Sequence, residues 1–186
     1  MKRLIDLLIV IISLSVLILP MLTISILVFF SSKGPVLYYS KRIGKDSKTF
    51  LMPKFRTMKI DTPDVATHLL ETPEAHLTVI GSFLRKTSLD ELPQLFSVFF
   101  GSMSIVGPRP ALWNQYDLIE LRKENQVDSL LPGITGHAQV EGRDKISIKE
   151  KVDLDELYLK NKSLYLDIKI ILKTFLKVFK MSDVEF

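Results

Sequence analysis

The sequence predicts an α+β chain, mostly helical, held at a membrane by its N-terminal segment and carrying one small β-hairpin. Three observations carry that prediction. Leu7 to Phe30 is an uncharged, mostly apolar run of twenty-four residues, and about 20 such residues suffice for a helix to cross the hydrocarbon core. Val36–Ser40 and Thr49–Phe55 are short β-leaning runs separated by Gly44-Lys45-Asp46, the pattern of a hairpin. Near the end, Leu164–Lys180 sets Lys169, Lys173, Lys177 and Lys180 at helical spacing opposite Ile168, Leu172, Phe175, Leu176 and Phe179. Such an amphipathic helix suits either the headgroup plane or a solvated lysine face over a core.

The apolar run is broken near its middle by Pro20. Proline removes the amide that would bond the carbonyl of Val16 and crowds that turn, so a bend is expected. Ser13, Ser15, Thr23 and Ser25 are placed to satisfy freed backbone groups. Lys2 and Arg3 precede the run, and Lys33, Lys41, Arg42, Lys45 and Lys48 follow it. Cytoplasmic flanks are the ones enriched in Lys and Arg, and both flanks are basic. Two readings therefore stand: a single crossing, or a helix that enters and leaves on one face. A cleaved signal peptide is disfavoured by the length of the run and by the lack of a small-residue cleavage site after it.

Residues 33–186 suffice for one modest domain with its own core. The net charge of +4 fits an anionic membrane surface, a phosphate-bearing substrate or nucleic acid. A nucleic-acid reading would need a basic face with stacking aromatics, and none is identifiable in the sequence. The chain has no cysteine, which excludes disulfides, thiolate metal sites and thiol catalysis. His68, His76 and His137 lie far apart, without metal-ligand spacing.

Along the rest of the chain, Thr62–Thr78 reads as a loop with a short helix. Ser88-Leu-Asp-Glu91 fits a capping box that opens a helix ended by Gly101. Val106-Gly-Pro-Arg-Pro110 is a rigid extended loop, because each proline fixes φ and restricts its predecessor. Trp113–Gln126 has a helical pattern, and Leu131-Pro-Gly-Ile-Thr-Gly136 has turn chemistry.

Asp90 and Glu91 are the best candidates for chemistry. Neighbours on a helix point about 100° apart, so the two carboxylates would take separate roles. A carboxylate can attack phosphorus or hold Mg²⁺. The competing structural reading makes Glu91 a capping-box acid and Asp90 an acid complementing the helix dipole. Arg109, between two prolines, is suited to bidentate phosphate binding or to a structural salt bridge. Arg85, Lys86, Arg143 and the pair Lys54 and Arg56 add further phosphate-binding candidates. The sequence lacks the G-x-x-x-x-G-K-[ST], G-x-G-x-x-G and G-x-S-x-G patterns.

These residues fall into an ordered series: Lys2-Arg3 with Asp6, Lys54-Phe-Arg-Thr-Met58, Arg85 through Ser88-Leu-Asp-Glu-Leu-Pro-Gln-Leu95, Met103-Ser-Ile-Val-Gly-Pro-Arg-Pro110, and Pro132-Gly-Ile-Thr-Gly136 continuing to Gly142-Arg143. In that series the chain resembles the small monotopic bacterial phosphoglycosyl transferases almost end to end. Met58–Pro63 and Ala111–Tyr116 are most like the capsule-initiating members. The resemblance implies a re-entrant helix-break-helix over residues 1–32, both ends cytoplasmic, and a membrane-associated catalytic domain over 33–186 with amphipathic interfacial helices. It places the chain on the cytoplasmic face of the bacterial inner membrane. It implies transfer of a phosphosugar from a UDP-sugar, of the N-acetylated hexosamine or 6-deoxy-acetamido kind, to undecaprenyl phosphate. UMP is released, and the route runs through a covalent intermediate on Asp90.

By the same resemblance Glu91 is the acidic partner of Asp90, Mg²⁺ is held near Asp90, and Arg85 and Arg109 stabilise phosphate oxygens. Lys54, Arg56 and Arg143 are further phosphate contacts, while Lys2, Arg3, Asp6 and Pro20 position the chain in the membrane. Two departures stand out: Leu19 occupies the place of the family's usual serine before the helix-breaking proline, and His137 replaces a common apolar residue. The alternatives are another membrane phosphotransferase, which would ordinarily carry several apolar segments, and a non-catalytic membrane-surface scaffold, against which the intact Asp90-Glu91 pair argues. The sequence carries no signal for an oligomeric state.

Overall fold

A computed structural model describes residues 1–63, 72–142 and 146–179. The apolar run forms one long helix, α1 (Lys2–Ser31). Its buried residues, Asp6, Val10, Met21, Ile24 and Val28, recur on one face, whereas Leu8, Ile12, Val16, Leu19, Leu22, Ile26, Phe29 and Phe30 are exposed. A helix apolar all round but covered on one stripe has lipid as the natural partner of its other faces. Helical structure continues through Pro20, so a single helix stands where a helix-break-helix is expected. Ser15, Thr23 and Ser25 donate to the carbonyls of Ile11, Leu19 and Met21, four residues back. They serve their own turns and leave the carbonyl of Val16 to other means.

The buried stripe packs along its whole length against the rest of the chain. Val10 joins a core with Met52, Leu95, Val98, Met103, Ile105, Val106, Val140, Tyr158 and Ile170. Met21, Ile24 and Val28 form a second core with Phe55 and Leu84. The N-terminal turn is tied down by polar contacts as well. Lys2 Nζ meets Asp167 Oδ2 at 2.7 Å, Arg3 donates to the carbonyls of Val98 and Phe99 at 2.6 and 2.9 Å, and the buried Asp6 carboxylate accepts from Ser104 Oγ at 2.8 Å.

The hairpin is present as β1 (Leu37–Ile43) and β2 (Thr49–Phe55), antiparallel from Leu37↔Phe55 to Ile43↔Thr49. Short helix α2 (Gly81–Lys86) precedes a 3₁₀ turn at Leu89–Glu91 and helix α3 (Gln94–Phe100). Strand β3 (Ser104–Val106) leads to β4 (Ala111–Leu112), which pairs with β1 through Arg42↔Leu112. Helix α4 (Tyr116–Glu124) is shorter than the Trp113–Gln126 pattern and gives way to a 3₁₀ turn at Val127–Ser129. Strand β5 (Gly133–Thr135), α5 (His137–Glu141), α6 (Ile148–Asn161) and α7 (Leu164–Phe179) complete the order.

Two local expectations are corrected. Ser88 is no cap: it adopts a left-handed conformation at φ 56° without a side-chain capping bond, and α3 begins at Gln94 after Pro93. A capping box does form at Ser147 and Glu150, opening α6. Second, Leu131–Gly136 is more than turn, because Gly133–Thr135 pairs in parallel with β3 through Ser104↔Gly133 and Val106↔Thr135. The glycines that suggest a turn serve close backbone approach: a Cβ on Gly133 would stand 2.1 Å from the Gly107 nitrogen. Of the two readings of α7, the apolar stripe turned away from the core agrees with a helix lying in the headgroup plane. Asp167 and Ile170 are buried, while Ile168, Leu172, Phe175 and Leu176 face outward. The short helix expected within Thr62–Thr78 is a 3₁₀ turn at Pro73–His76 among the described residues.

Gly133→Ala therefore forces β3 and β5 apart. It is expected to cost at least about 2 kcal/mol, read as a lowered urea midpoint in detergent micelles. Gly44→Ala, whose methyl meets the edge of the Phe50 ring at 3.0 Å and the Lys48 carbonyl at an ordinary 3.5 Å, is the control and should cost under about 1 kcal/mol. Equal losses in the two variants would show that the β3–β5 approach is not what requires the glycine.

Candidate active site

Four elements converge on one carboxylate. Glu91, in the 3₁₀ turn ahead of α3, accepts a hydrogen bond from Lys54 Nζ of β2 at 2.7 Å. The same oxygen accepts from Arg109 Nη2, in the loop after β3, at 3.0 Å. Arg85, at the end of α2, lies within electrostatic reach of Asp90, Glu91 and Arg109. The left-handed backbone at Ser88 turns the chain sharply between Arg85 and the acids, a conformation that costs a non-glycine residue about 1–2 kcal/mol and that marks many functional turns.

The two acids sit in different electrostatic states. Burial pushes the Glu91 carboxyl up, but the charges of Arg109 and Lys54, and the hydrogen bonds from both, hold it far below the usual carboxylate range. Asp90 is 7% exposed, and Lys54 Nζ stands 3.9 Å from it. Burial raises the Asp90 pKa above its ordinary value, opposed by the Lys54 charge and reinforced by Glu91. Glu91 thus holds the short cation contacts and Asp90 keeps a desolvated, loosely paired carboxylate, the environment that makes an anion reactive. Three cations face two carboxylates, which leaves the cluster net positive and suited to a phosphate-bearing ligand.

The structure brings together Lys54, Arg85, Asp90, Glu91 and Arg109, which the sequence distributes over fifty-six positions. Arg56 is elsewhere: its Nε donates to the Pro35 carbonyl at 2.8 Å, where α1 leads into β1. Arg143 lies outside the described residues. Lys2, Arg3 and Asp6 each hold partners within the protein, and Pro20 sits mid-helix in α1. Among the described residues no cluster of three or more His, Asp or Glu side chains gathers. Mg²⁺ is commonly bound by one or two carboxylates together with phosphate oxygens, and the donor set here, the two adjacent carboxylates of Asp90 and Glu91, is compatible with that mode and not with a protein-only cage.

A supporting layer was not legible in the motifs. Arg122 of α4 is paired with Asp155 of α6 at 2.7 Å, and Tyr158 donates to Asp167 at 2.6 Å. Their one signal in the sequence is a charged residue on a helix's apolar side: Arg122 follows Leu118 by four positions, and Asp155 follows Val152 by three.

The bacterial sugar transferase family model matches residues 1–181. The exopolysaccharide production protein ExoY of Sinorhizobium fredii is 39% identical over 188 residues, covering 93% of this chain and 83% of its own. A UDP-galactose-lipid carrier transferase of Erwinia amylovora is 38% identical over 180 residues, covering 87% of this chain and 37% of its own. A UDP-glucose:undecaprenyl-phosphate glucose-1-phosphate transferase of Xanthomonas campestris pv. campestris is 41% identical over 166 residues, covering 85% and 34%. The chain thus spans about a third of the length of several curated relatives.

The contrast between the two acids is measurable as stability. At pH 7, Glu91→Gln leaves Lys54 and Arg109 without their shared anion and should cost about 1–3 kcal/mol. That deficit should narrow below about pH 4, because a group with a depressed folded pKa loses its contribution as pH falls from its unfolded value. Asp90→Asn removes a carboxylate whose folded pKa is raised, so at pH 7 it should be as stable as the parent or more so. Urea titrations of both variants from about pH 2.5 to pH 7 test this, and a large loss on Asp90→Asn at pH 7 would contradict the assignment of Asp90 as the loosely paired acid.

Proposed function

Because the chain belongs to the bacterial sugar transferase family, we propose that it transfers a phosphosugar from a UDP-sugar to undecaprenyl phosphate and releases UMP. This would be the first membrane step of capsule, O-antigen or glycoprotein glycan synthesis. The observation that carries the proposal is the division of labour between Glu91, which is locked to Lys54 and Arg109, and Asp90, which is not.

In the proposed route an Asp90 carboxylate oxygen attacks the β-phosphorus of the UDP-sugar. The bond from that phosphorus to the bridging oxygen breaks, and the oxygen leaves with UMP. The phosphosugar remains on Asp90 as an acyl phosphate. A phosphate oxygen of undecaprenyl phosphate then attacks the same phosphorus, the bond to Asp90 breaks, and the carboxylate is regenerated as undecaprenyl-diphosphate-sugar departs. Lys54, Arg85 and Arg109 offset charge on the phosphate oxygens throughout. Glu91 holds Lys54 and Arg109 in place and stays ionised. Mg²⁺, bound by Asp90 and the diphosphate, would supply further charge neutralisation and orientation.

The site must meet one water-soluble and one lipid substrate, so it belongs at headgroup depth. We place the protein on the cytoplasmic face of the bacterial inner membrane, with α1 within one leaflet and both ends on the same side. Supporting this, Lys2 and Asp6 are bonded to Asp167 and Ser104 at one end of α1. Toward the other end, Val28 packs with Phe55 and Leu84. Both ends of α1 thus pack on the same body of the protein, which favours the one-sided reading. The outward apolar residues of α7, with Phe83, Phe96, Phe99 and Phe100, add an interfacial surface.

Two outcomes are expected. Without lipid acceptor, the protein should release UMP in an amount stoichiometric with enzyme from one member of a panel spanning UDP-glucose, UDP-galactose and UDP-N-acetylhexosamines. Steady-state kinetics should be ping-pong and Asp90→Asn should release none; an Asp90→Asn variant that turns over near the parental rate would reject the covalent route. For topology, a cysteine placed ahead of Met1 and Lys33→Cys, in this cysteine-free background, should both resist a membrane-impermeant thiol reagent in intact cells. Labelling at one position alone would establish a crossing.

A further inference from the structure

Pro108 and Pro110 have no N–H to give, so the segment around Arg109 is tethered largely through its carbonyls. Each of the three is engaged from behind. The Pro108 carbonyl accepts from the Gly133 amide at 2.9 Å, the Arg109 carbonyl from Arg122 Nη1 at 2.7 Å, and the Pro110 carbonyl from Arg42 Nη1 at 3.2 Å. Arg122 is itself fixed: its Nε and Nη2 donate to Asp155 Oδ2 at 3.2 and 2.7 Å. Asp155 is 1% exposed and Arg122 9%.

We infer that Arg122 and Asp155 are positioning residues that hold the Arg109 backbone so that its guanidinium reaches Glu91 and the substrate phosphates. The inference rests on the transferase reading only in what Arg109 contacts; the tether itself is independent of it. A buried ion pair is commonly no more stabilising than a well-packed apolar pair of the same volume, so stability alone gives little reason for one here. Geometry gives one. The planar guanidinium serves Asp155 along one edge and presents its remaining nitrogen to the Arg109 carbonyl, whereas a lysine ammonium is a compact charge on a flexible stem and lacks that rigid fork. A cavity of about 30 Å³ lined by Pro108, Pro110, Arg122 and Pro132 lies beside the tether.

Two measurements on Arg122→Lys test the inference. The first is hydrogen exchange at the Gly133 amide, which reads the loop through its bond to Pro108 and requires no activity. Exchange there should rise about tenfold while the α6 amides keep their parental protection; unchanged exchange at Gly133 would overturn the inference whatever the catalytic result. The second is a kinetic cycle with Arg109→Lys. Arg122→Lys alone should lower kcat for UMP release about 10- to 100-fold, the scale of a small misplacement of a reacting group, with KM changed less than threefold. In the Arg109→Lys background it should add less than threefold. A full multiplicative loss in both backgrounds would overturn the inference while leaving the transferase reading intact, and a parent that releases no UMP would sink that reading while the exchange result still decides the tether. Should Arg122→Lys fail to fold, Asp155→Glu, which keeps both charges and shifts their geometry, enters the same two measurements with the same outcomes.

Discussion

The carboxylate of Glu91 is the point on which the site depends. Lys54 comes from a strand, Arg109 from a proline-locked loop and Glu91 from a strained turn, and none of these elements pairs its charged group locally. Without a shared anion the two cations would repel at close range, and the strand and the loop would have no reason to meet there. With it, Asp90 is left in a buried position beside cations already committed to its neighbour. Adjacent acids of the same chemistry thereby acquire different protonation behaviour within one site.

The second constraint is the docking of α1. A lone apolar helix would need only lipid, but this one carries Asp6, which accepts from Ser104 next to the core of the domain, and Arg3, which reaches the end of α3. Arg3 donates to the last carbonyls of α3, groups that a helix end leaves unsatisfied and that favour a cation. The helix immediately after the dyad is thus capped from the membrane segment. The same end is stopped by Gly101 at φ 93°, the left-handed conformation that glycine adopts at little steric expense.

Apolar exposure follows the same logic. On α7 the residues Ile168, Leu172, Phe175 and Leu176 point away from the core, while the helix holds its place through Ile170, Asp167 and the Thr135–Thr174 contact at 2.6 Å. A water-soluble domain rarely leaves so many large apolar side chains uncovered on one helix. Together with the open faces of α1 they give the molecule a surface matched to lipid, with the charged cluster of the site carried by the same compact body.

Much of this was written in the sequence. The uncharged run from Leu7 to Phe30, the β1–β2 hairpin, the extent of α7 and the ordered motifs around Lys54, Arg85, Asp90-Glu91 and Arg109 are patterns of composition and spacing, and the chain realises them because local preference and burial agree there. What misled was context. Ser88–Glu91 has the residues of a capping box, but its acids are drawn to Lys54 and Arg109, so the cap is never made. Gly133 and Gly136 look like turn residues, yet what they provide is room for the backbone of Gly107. Pro20 should interrupt α1, but the helix packed along both halves is continuous through it. Arg122 and Asp155 showed only as charged residues on the apolar sides of their helices, because an ion pair between two helices leaves no motif that identifies its partner. The sequence by itself determined which chemical groups are present and the local elements that carry them. Only the tertiary structure decided which acid is paired, which carbonyls are held and which apolar face is left for lipid, because each of these depends on distances between residues far apart in the chain.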